Sequence, residues 1–447
     1  MLAALSLCWP YIAGLGALPA LVLAGQPAPA GTAGRERTAL HLLAAMWSFG
    51  LCLNYLLVLV LGSLAAALLL GSVLAVALGG LALWLYRARL GWLRSIAPWA
   101  LAFAVFIVLA AAIVLDPLHD WDARVIWFLH GKMIYFGGGL TPEIGLNAWS
   151  VPHPDYPKLV AVMAAEVATL VGFWNEYLPK LSLVLLLPTP ILALLTLRRR
   201  PLTLAVGIFG FLAIPQQFLA NGSMDGYLAL YAAVATLFLA DWLEGGGDAA
   251  LLAAVGALGV AGGLKLEGQI LYVAIALAGV ALFLVRRIRL SPVAGRVQLL
   301  LPLPFVPFAV WHGLVGLWSL KVEHFSLGIA WRRLGDLEAV RLILDQVVLD
   351  PRIVVAVIIL LAAAVLGRWR AGRLPSAAWL PLLAGLLYLG ATCVIFLMYP
   401  EDLTIELSMA AGRVIRAASA LLLVAALVVL RTVEAGSACA AGPVAER

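Results

Sequence analysis

Asp120 and Asp122 open the stretch in which ionisable residues are densest along this chain, LDPLHDWDARVIWFLHGKMIYFGGGLTPEIGLNAWSVPHPDYPKL, from Leu115 to Leu159. The same stretch holds Asp116, Glu143 and Asp155, with His119, His130 and His153, and the cations Arg124, Lys132 and Lys158. A carboxylate can take the proton of a hydroxyl as that hydroxyl attacks an electrophile. Asp122 is the first candidate for such a base, and Asp120 the second. A spacing of two puts them on different sides of a helix, or on the same side of an extended chain. Both follow directly on an apolar run, at a depth where a side chain meets water and a lipid head group together. A polar helix end in solvent accounts for the pair as well as catalysis does.

Four further groups carry possible chemistry. His153-Pro154-Asp155-Tyr156-Pro157 is fixed by two prolines. It reads as a binding turn, or as a rigid turn with Asp155 near the N-terminus of the next helix. Asn221-Gly222-Ser223-Met224-Asp225-Gly226 is a short turn between apolar runs, where Asp225 can bind a ligand or cap a helix. Lys265-Leu266-Glu267-Gly268 breaks another apolar run, and ionisable groups at membrane depth are costly. A short turn with a Lys–Glu pair at its mouth fits these residues too. The last group is cationic: Lys321, His324, Arg332, Arg333 and Arg341 in one loop, Arg413 and Arg416 in another. Guanidinium forks suit phosphate oxygens. Snorkelling to lipid head groups uses the same side chains.

The elements that must position these residues are helices in a bilayer. Of 447 residues, 64% are hydrophobic and only 12% are charged. A soluble domain carries about twice that charge. Apolar runs of about 20 residues recur along the chain, which predicts an all-α polytopic membrane protein. The short alternating segments of a transmembrane barrel are missing. The net charge of +6 is modest, and the arginines sit between apolar runs, so nucleic-acid binding is excluded. The four cysteines, Cys8, Cys52, Cys393 and Cys439, lie far apart with no CxxC, which excludes a disulfide framework or zinc site. Residues 1–24 lack the charged start of a signal peptide and read as a first helix.

Crossings are expected at 3–24, 40–86 (two helices), 96–115, 178–197, 201–219, 226–243, 249–264, 267–285, 297–318, 352–367, 376–398 and 414–431. Residues 157–173 are apolar enough to cross. If they did, Arg198, Arg199 and Arg200 would fall outside, against the preference of Lys and Arg for the cytoplasm. They are therefore read as lying in the interface, or dipping in and returning. This gives thirteen crossings, with the N-terminus out and the C-terminus in, and an external loop over 116–177. Trp121, Trp127, Phe128, Tyr135 and Phe136 suit an interfacial helix in that loop. Four units follow: N-terminal membrane helices over 1–95, a catalytic membrane module over 96–318, C-terminal helices with external loops over 319–431, and a cytoplasmic tail over 432–447.

Taken together, these motifs resemble the GT-C superfamily of membrane glycosyltransferases, and within it the bacterial relatives of protein O-mannosyltransferases and lipid A aminoarabinose transferases. Members have a crossing helix, then a long first external loop with interfacial helices that opens on an acidic pair with an aromatic downstream. WDARVIWFLHGKM is similar, with Asp122 at the catalytic-base position and Trp127 and Met133 after it. Ala123 replaces the usual second acid, and Asp120 stands in. HPDYPKL resembles the motif that closes the family loop, NGSMDGYLALY its second acidic turn, and GLKLEG its later lysine break. The likeness runs from Pro98 to Val285. Three helices precede the crossing that leads into the loop, more than the family usually has, and no large C-terminal domain follows.

The resemblance implies inverting transfer of a sugar from a polyprenyl-phosphate donor to an acceptor hydroxyl on an envelope glycan, lipid or protein, outside the cytoplasmic membrane. Asp122 and Asp120 are the catalytic expectation. His153, Asp155, Tyr156, Asp225, Lys265, Glu267, His324, Arg332, Arg333 and Arg413 are the substrate-binding one. Some members use a divalent cation, and no ligand set for one is visible here. The alternative from another class is a transporter or flippase of a lipid-linked or small polar substrate. That reading predicts paired half-repeats and ionisable residues near the bilayer midplane. No repeat is visible in the sequence.

Overall fold

Inside a bilayer no water satisfies backbone N–H and C=O groups, so a long apolar run must pair them within itself. The computed structural model follows that rule. It describes residues 2–24, 31–87, 106, 108–148, 151–213, 216–285, 288, 293–322, 325–372, 374–400 and 402–440. Among these, the structure is helical and has no β-strand; one isolated bridge joins Ser63 to Gly139. Ten helices among the described residues are long and apolar enough to cross a membrane.

The helices that matter for the site are α1 (Leu2–Leu15), α2 (Gly31–Leu61), α3 (Leu64–Tyr86), α4 (Phe128–Phe136), α5 (Leu159–Val171), α6 (Met224–Leu243), α7 (Gly247–Leu264), α8 (Glu267–Leu284), α9 (Leu327–Leu334), α10 (Pro351–Ala371), α11 (Trp379–Met398) and α12 (Gly412–Ala440). The centre is made by α6, which packs on both α7 and α12, with α2 against α7 and α10 and α11 against α12. Burial separates centre from rim: 89% of the α7 span is buried, against 22% of the α3 and α10 spans. Rim helices show Leu69, Val76, Leu83, Ile358 and Leu361 outward, as a lipid-facing surface requires. Lipid tails are as apolar as leucine, so helix association relies on close packing rather than on hydrophobic burial. The small residues of α7 serve this. A Cβ on Gly256 would lie 2.9 Å from Cβ of Ser48 on α2, so only a glycine lets the two helices approach so closely.

Charge marks the two ends of the bundle. At one end Asp241 of α6 meets Arg37 and His41 of α2 and Arg431 of α12, and Glu36 meets Arg198 and Arg199. Glu434 accepts from the backbone of Leu202 and Thr203 at the same end. At the other end stand Asp225 of α6, Lys265 after α7 and Arg413 of α12. Arg413 and Arg431 lie on one helix, separated by about 27 Å at 1.5 Å per residue. The arginine triplet 198–200 and the 116–177 loop therefore occupy opposite ends.

Several expectations change in detail. The first helix breaks at Gly16–Ala17 into α1 and Leu18–Leu23. In the 201–219 run Pro201–Ala213 and Gln216–Asn221 are helical, and residues 214 and 215 lie outside the described residues. Most of the expected 96–115 crossing lies outside the described residues, which resume at 106 and 108–115. The last helix is longer than expected, reaching Ala440. Residues 157–173 form α5, whose 13 residues rise about 20 Å, short of the roughly 30 Å of a bilayer core. Every residue from Leu159 to Ala168 is buried, packed on α4, α2 and α7. The aromatic set divides likewise: Trp121 and Phe136 are exposed, whereas Trp127 and Phe128 are buried.

Candidate active site

After Leu115 the chain runs without regular structure from Pro117 to Asp120 and then winds into helix at Trp121. Asp120 caps that start. Its Oδ1 accepts from the Asp122 N–H at 2.9 Å, which satisfies a donor left over at a helix beginning. Its Oδ2 accepts from Asn221 Nδ2 at 3.4 Å. The turn carrying Asn221 comes within van der Waals reach of the loop through Gly222, at φ +87°, a conformation that favours glycine. A Cβ there would also meet Ala123 at 2.8 Å, so the position excludes a side chain twice over.

Asp122 faces the other way. Its Oδ2 accepts from Arg413 Nη1 at 2.7 Å, and the side chains keep 13% and 23% of their surface exposed. The pair is therefore neither in bulk water nor sealed from a ligand. Both partners border a π-helical turn: Ala123–Trp127 follows Asp122, and Leu407–Ala411 precedes Arg413 by one residue. A π-turn adds a residue to the turn and re-aims the side chains beside it, often at functional sites.

Behind this pair, Asp225 receives Lys265 Nζ at 2.9 Å on Oδ1 and Ser223 Oγ at 2.9 Å on Oδ2. Lys265 also pairs with Glu267 at 2.9 Å. Arg413 acts electrostatically on Asp225, Asp122 and Asp120 together, so the loop acids and the span-end acids share one field. Arg416, one turn further along α12, is buried beside Arg352, which grips Asp350 through Nε and Nη2 at 2.8 and 2.7 Å. Burial raises the Asp120 carboxyl above its usual range, the neighbouring Asp122 charge adds to this, and Arg413 opposes it.

The HPDY turn forms a second, deeper cluster. His153 takes a positive φ of 48°, and its ring stacks on Tyr156 at 4.5 Å. Tyr156 in turn lies 5.7 Å from Trp127, the last residue of the π-turn that begins after Asp122. Trp311 Nε1 donates to the Asp155 carbonyl at 2.8 Å. Lys158 is fully buried beneath: Nζ shares a hydrogen bond with His130 Nδ1 at 3.1 Å, and the Lys158 N–H donates to Tyr55 Oη at 2.9 Å. Burial holds the Lys158 amine well below its ordinary range, with Asp155 pulling the other way. Burial, and then the Lys158 charge, hold the His130 imidazole well below its own. His153, Asp155 and Tyr156 thus sit in a packed support that reaches Asp122 through Trp127.

The cations expected outside do not gather as one set. Arg413 joins Asp122. Arg333 instead donates Nη1 to the carbonyls of Phe396 and Tyr399 at 2.9 and 2.7 Å, capping the end of α11. Arg332 is exposed on α9, and Arg341 pairs with Asp345 at 3.7 Å. His324 lies outside the described residues. Among the described residues no three His, Cys, Asp or Glu side chains come together as a metal site. Reading the sequence named Lys158 only as a loop cation and did not single out the Asp241 network. His41, Asp241 and Arg431 do carry a signal, since ionisable residues inside apolar runs are rarely idle. Comparisons with family models, with characterised proteins and with solved structures find no match for the chain.

Proposed function

We propose that this protein is an inverting glycosyltransferase, moving a sugar from a polyprenyl-phosphate donor to an acceptor hydroxyl on the outer side of the cytoplasmic membrane. The observation that carries the reading is the Asp122–Arg413 pair at 2.7 Å, a carboxylate and a guanidinium brought to one end of the spans from opposite parts of the chain. Transfer by inversion needs those two groups. Asp122 takes the proton of the acceptor hydroxyl while its oxygen bonds to C1 of the sugar. The bond from C1 to the phosphate oxygen breaks, and polyprenyl phosphate leaves with the electron pair. Arg413 stabilises the charge that grows on the leaving phosphate. Asp225 and Lys265 hold the floor of the site, and the acceptor is an envelope glycan, lipid or protein.

In this reading the chain crosses thirteen times. The ten long helices are joined by residues 2–23, the run ending at Leu115, and 201–221. The Arg198–Arg200 end faces the cytoplasm by the bias of basic residues. A flippase is the alternative reading, although the buried Asp241 network lies at one end of the bundle and not at the midplane. Lipid extracts of a deletion strain test both. Loss of a transferase leaves its sugar-loaded polyprenyl phosphate accumulating on the outer face, open to impermeant periodate. Loss of a flippase leaves it on the inner face. An unchanged pool of lipid-linked sugars excludes both.

A further inference from the structure

We infer that Glu267 and Tyr388 form the subsite that reads the hydroxyl groups of the donor's sugar, beside the phosphate that Arg413 takes. The inference rests on the transferase reading and adds to it the residues that tell a sugar-loaded lipid from a bare one. It follows from which hydrogen-bonding atoms around Asp225 are spent. Asp225 gives Oδ1 to Lys265 and Oδ2 to Ser223, each at 2.9 Å. Lys265 is closed between Asp225 and Glu267 Oε1, each at 2.9 Å. Asp120 spends Oδ1 on the Asp122 N–H and Oδ2 on Asn221. Glu267 Oε2, Tyr388 Oη and Arg413 Nε are not spent: each is buried with no hydrogen-bond partner among the described residues. Such groups destabilise a fold, so their retention asks for a ligand or an ordered water.

These atoms come from three helices that pack together. Glu267 opens α8, Tyr388 lies midway along α11, which packs on α8, and Arg413 stands at the start of α12, which packs on α11. Tyr388 is fully buried, and its hydroxyl lies in the fields of Glu267 and then Asp225. Among the acids that act on Arg413, Asp225 comes first. Their chemistry divides the ligand. The Arg413 Nε edge donates and suits a phosphate oxygen, while Nη1 stays on Asp122, so base and phosphate share one guanidinium by different edges. Glu267 repels a phosphate. Lys265 already neutralises it, so its second oxygen suits a neutral hydroxyl rather than a cation. A phenol both donates and accepts. One sugar hydroxyl can therefore donate to Glu267 and another accept from Tyr388. Glu267 keeps 16% of its side-chain surface exposed and Tyr388 is sealed, so the sugar meets Glu267 first and Tyr388 behind it. A bare polyprenyl phosphate offers neither residue a partner.

The test is binding, in nanodiscs, of polyprenyl phosphate and its mannosyl, glucosyl, galactosyl and arabinosyl esters to the full chain, Tyr388→Phe and Glu267→Gln. The readout is the affinity for each sugar-loaded lipid relative to the bare one. Wild type should prefer at least one of the four. Tyr388→Phe removes only an oxygen without a partner, so the fold is kept, and the preference should fall by about three- to tenfold, the worth of one neutral hydrogen bond. In Glu267→Gln, Lys265 claims the amide oxygen and turns the NH2 group to the ligand, so the preference should fall by roughly tenfold or more. A preference unchanged in Tyr388→Phe or in Glu267→Gln overturns the subsite and leaves the transferase reading standing. So does wild type that binds all five lipids equally. Wild type that binds none of them removes the transferase reading, and the subsite with it.

Discussion

Asp225 and Asp241 lie at opposite ends of α6, each neutralised by a different set of helices. Asp225 is met by Lys265 after α7, and Asp241 by Arg37 and His41 of α2 and Arg431 of α12. The two sets fix the ends of α2, α6, α7 and α12 relative to one another. Sidedness is then one property of the whole bundle. A cysteine placed at exposed Glu143 should react with an impermeant thiol reagent from outside, in a background without the native cysteines. One placed at Arg199 should react only after the membrane is opened. Outside labelling of position 199, or protection of position 143, inverts the orientation and removes the site from the outer face.

The two loop acids have separable roles. Asp120 caps the helix start and is raised by burial, whereas Asp122 is paired with Arg413. A general base contributes roughly 10²–10⁴-fold to rate. Asp122→Asn should lower transfer by about that factor in a purified assay while the protein still folds. Asp120→Asn keeps an oxygen for the Asp122 N–H and should cost turnover far less. Loss in the second variant with normal turnover in the first would move the base to Asp120. Normal turnover in both would take the loop out of the chemistry.

The His130–Lys158 pair makes stability depend on pH in a stated direction. An unfolded chain protonates His130 below about pH 6.5, its ordinary value. The folded protein, with that imidazole depressed by burial and by Lys158, does not. The unfolded state then binds more protons, so stability falls as pH drops below about 6.5, by at most roughly 1.4 kcal/mol per pH unit for this group. Above that value both states hold His130 neutral and its contribution is fully present. His130→Gln should lose less in unfolding temperature than wild type between pH 6.5 and pH 5. Parallel losses in the two proteins would show that His130 titrates alike folded and unfolded.

The sequence by itself determined the class of molecule and the place of most of its long helices. Hydropathy is local: twenty apolar residues must be helical in a bilayer whatever surrounds them, so the runs at 226–243, 249–264, 267–285 and 376–398 are legible by inspection. The charge argument at Arg198–Arg200 also reads one rule at a time, and it kept 157–173 from being counted as a crossing. Which ionisable groups meet was decided by the tertiary structure. Nothing at Arg413 says that it pairs with Asp122, 291 positions away, while Arg333 turns to the carbonyls of Phe396 and Tyr399. Arginine is equally able to bind phosphate, carboxylate or a helix end. Lys158 reads as a loop cation until α4, α5 and Trp311 close over it. Burial and ion pairing depend on the distance between chain segments, and only the packing of the helices sets that distance.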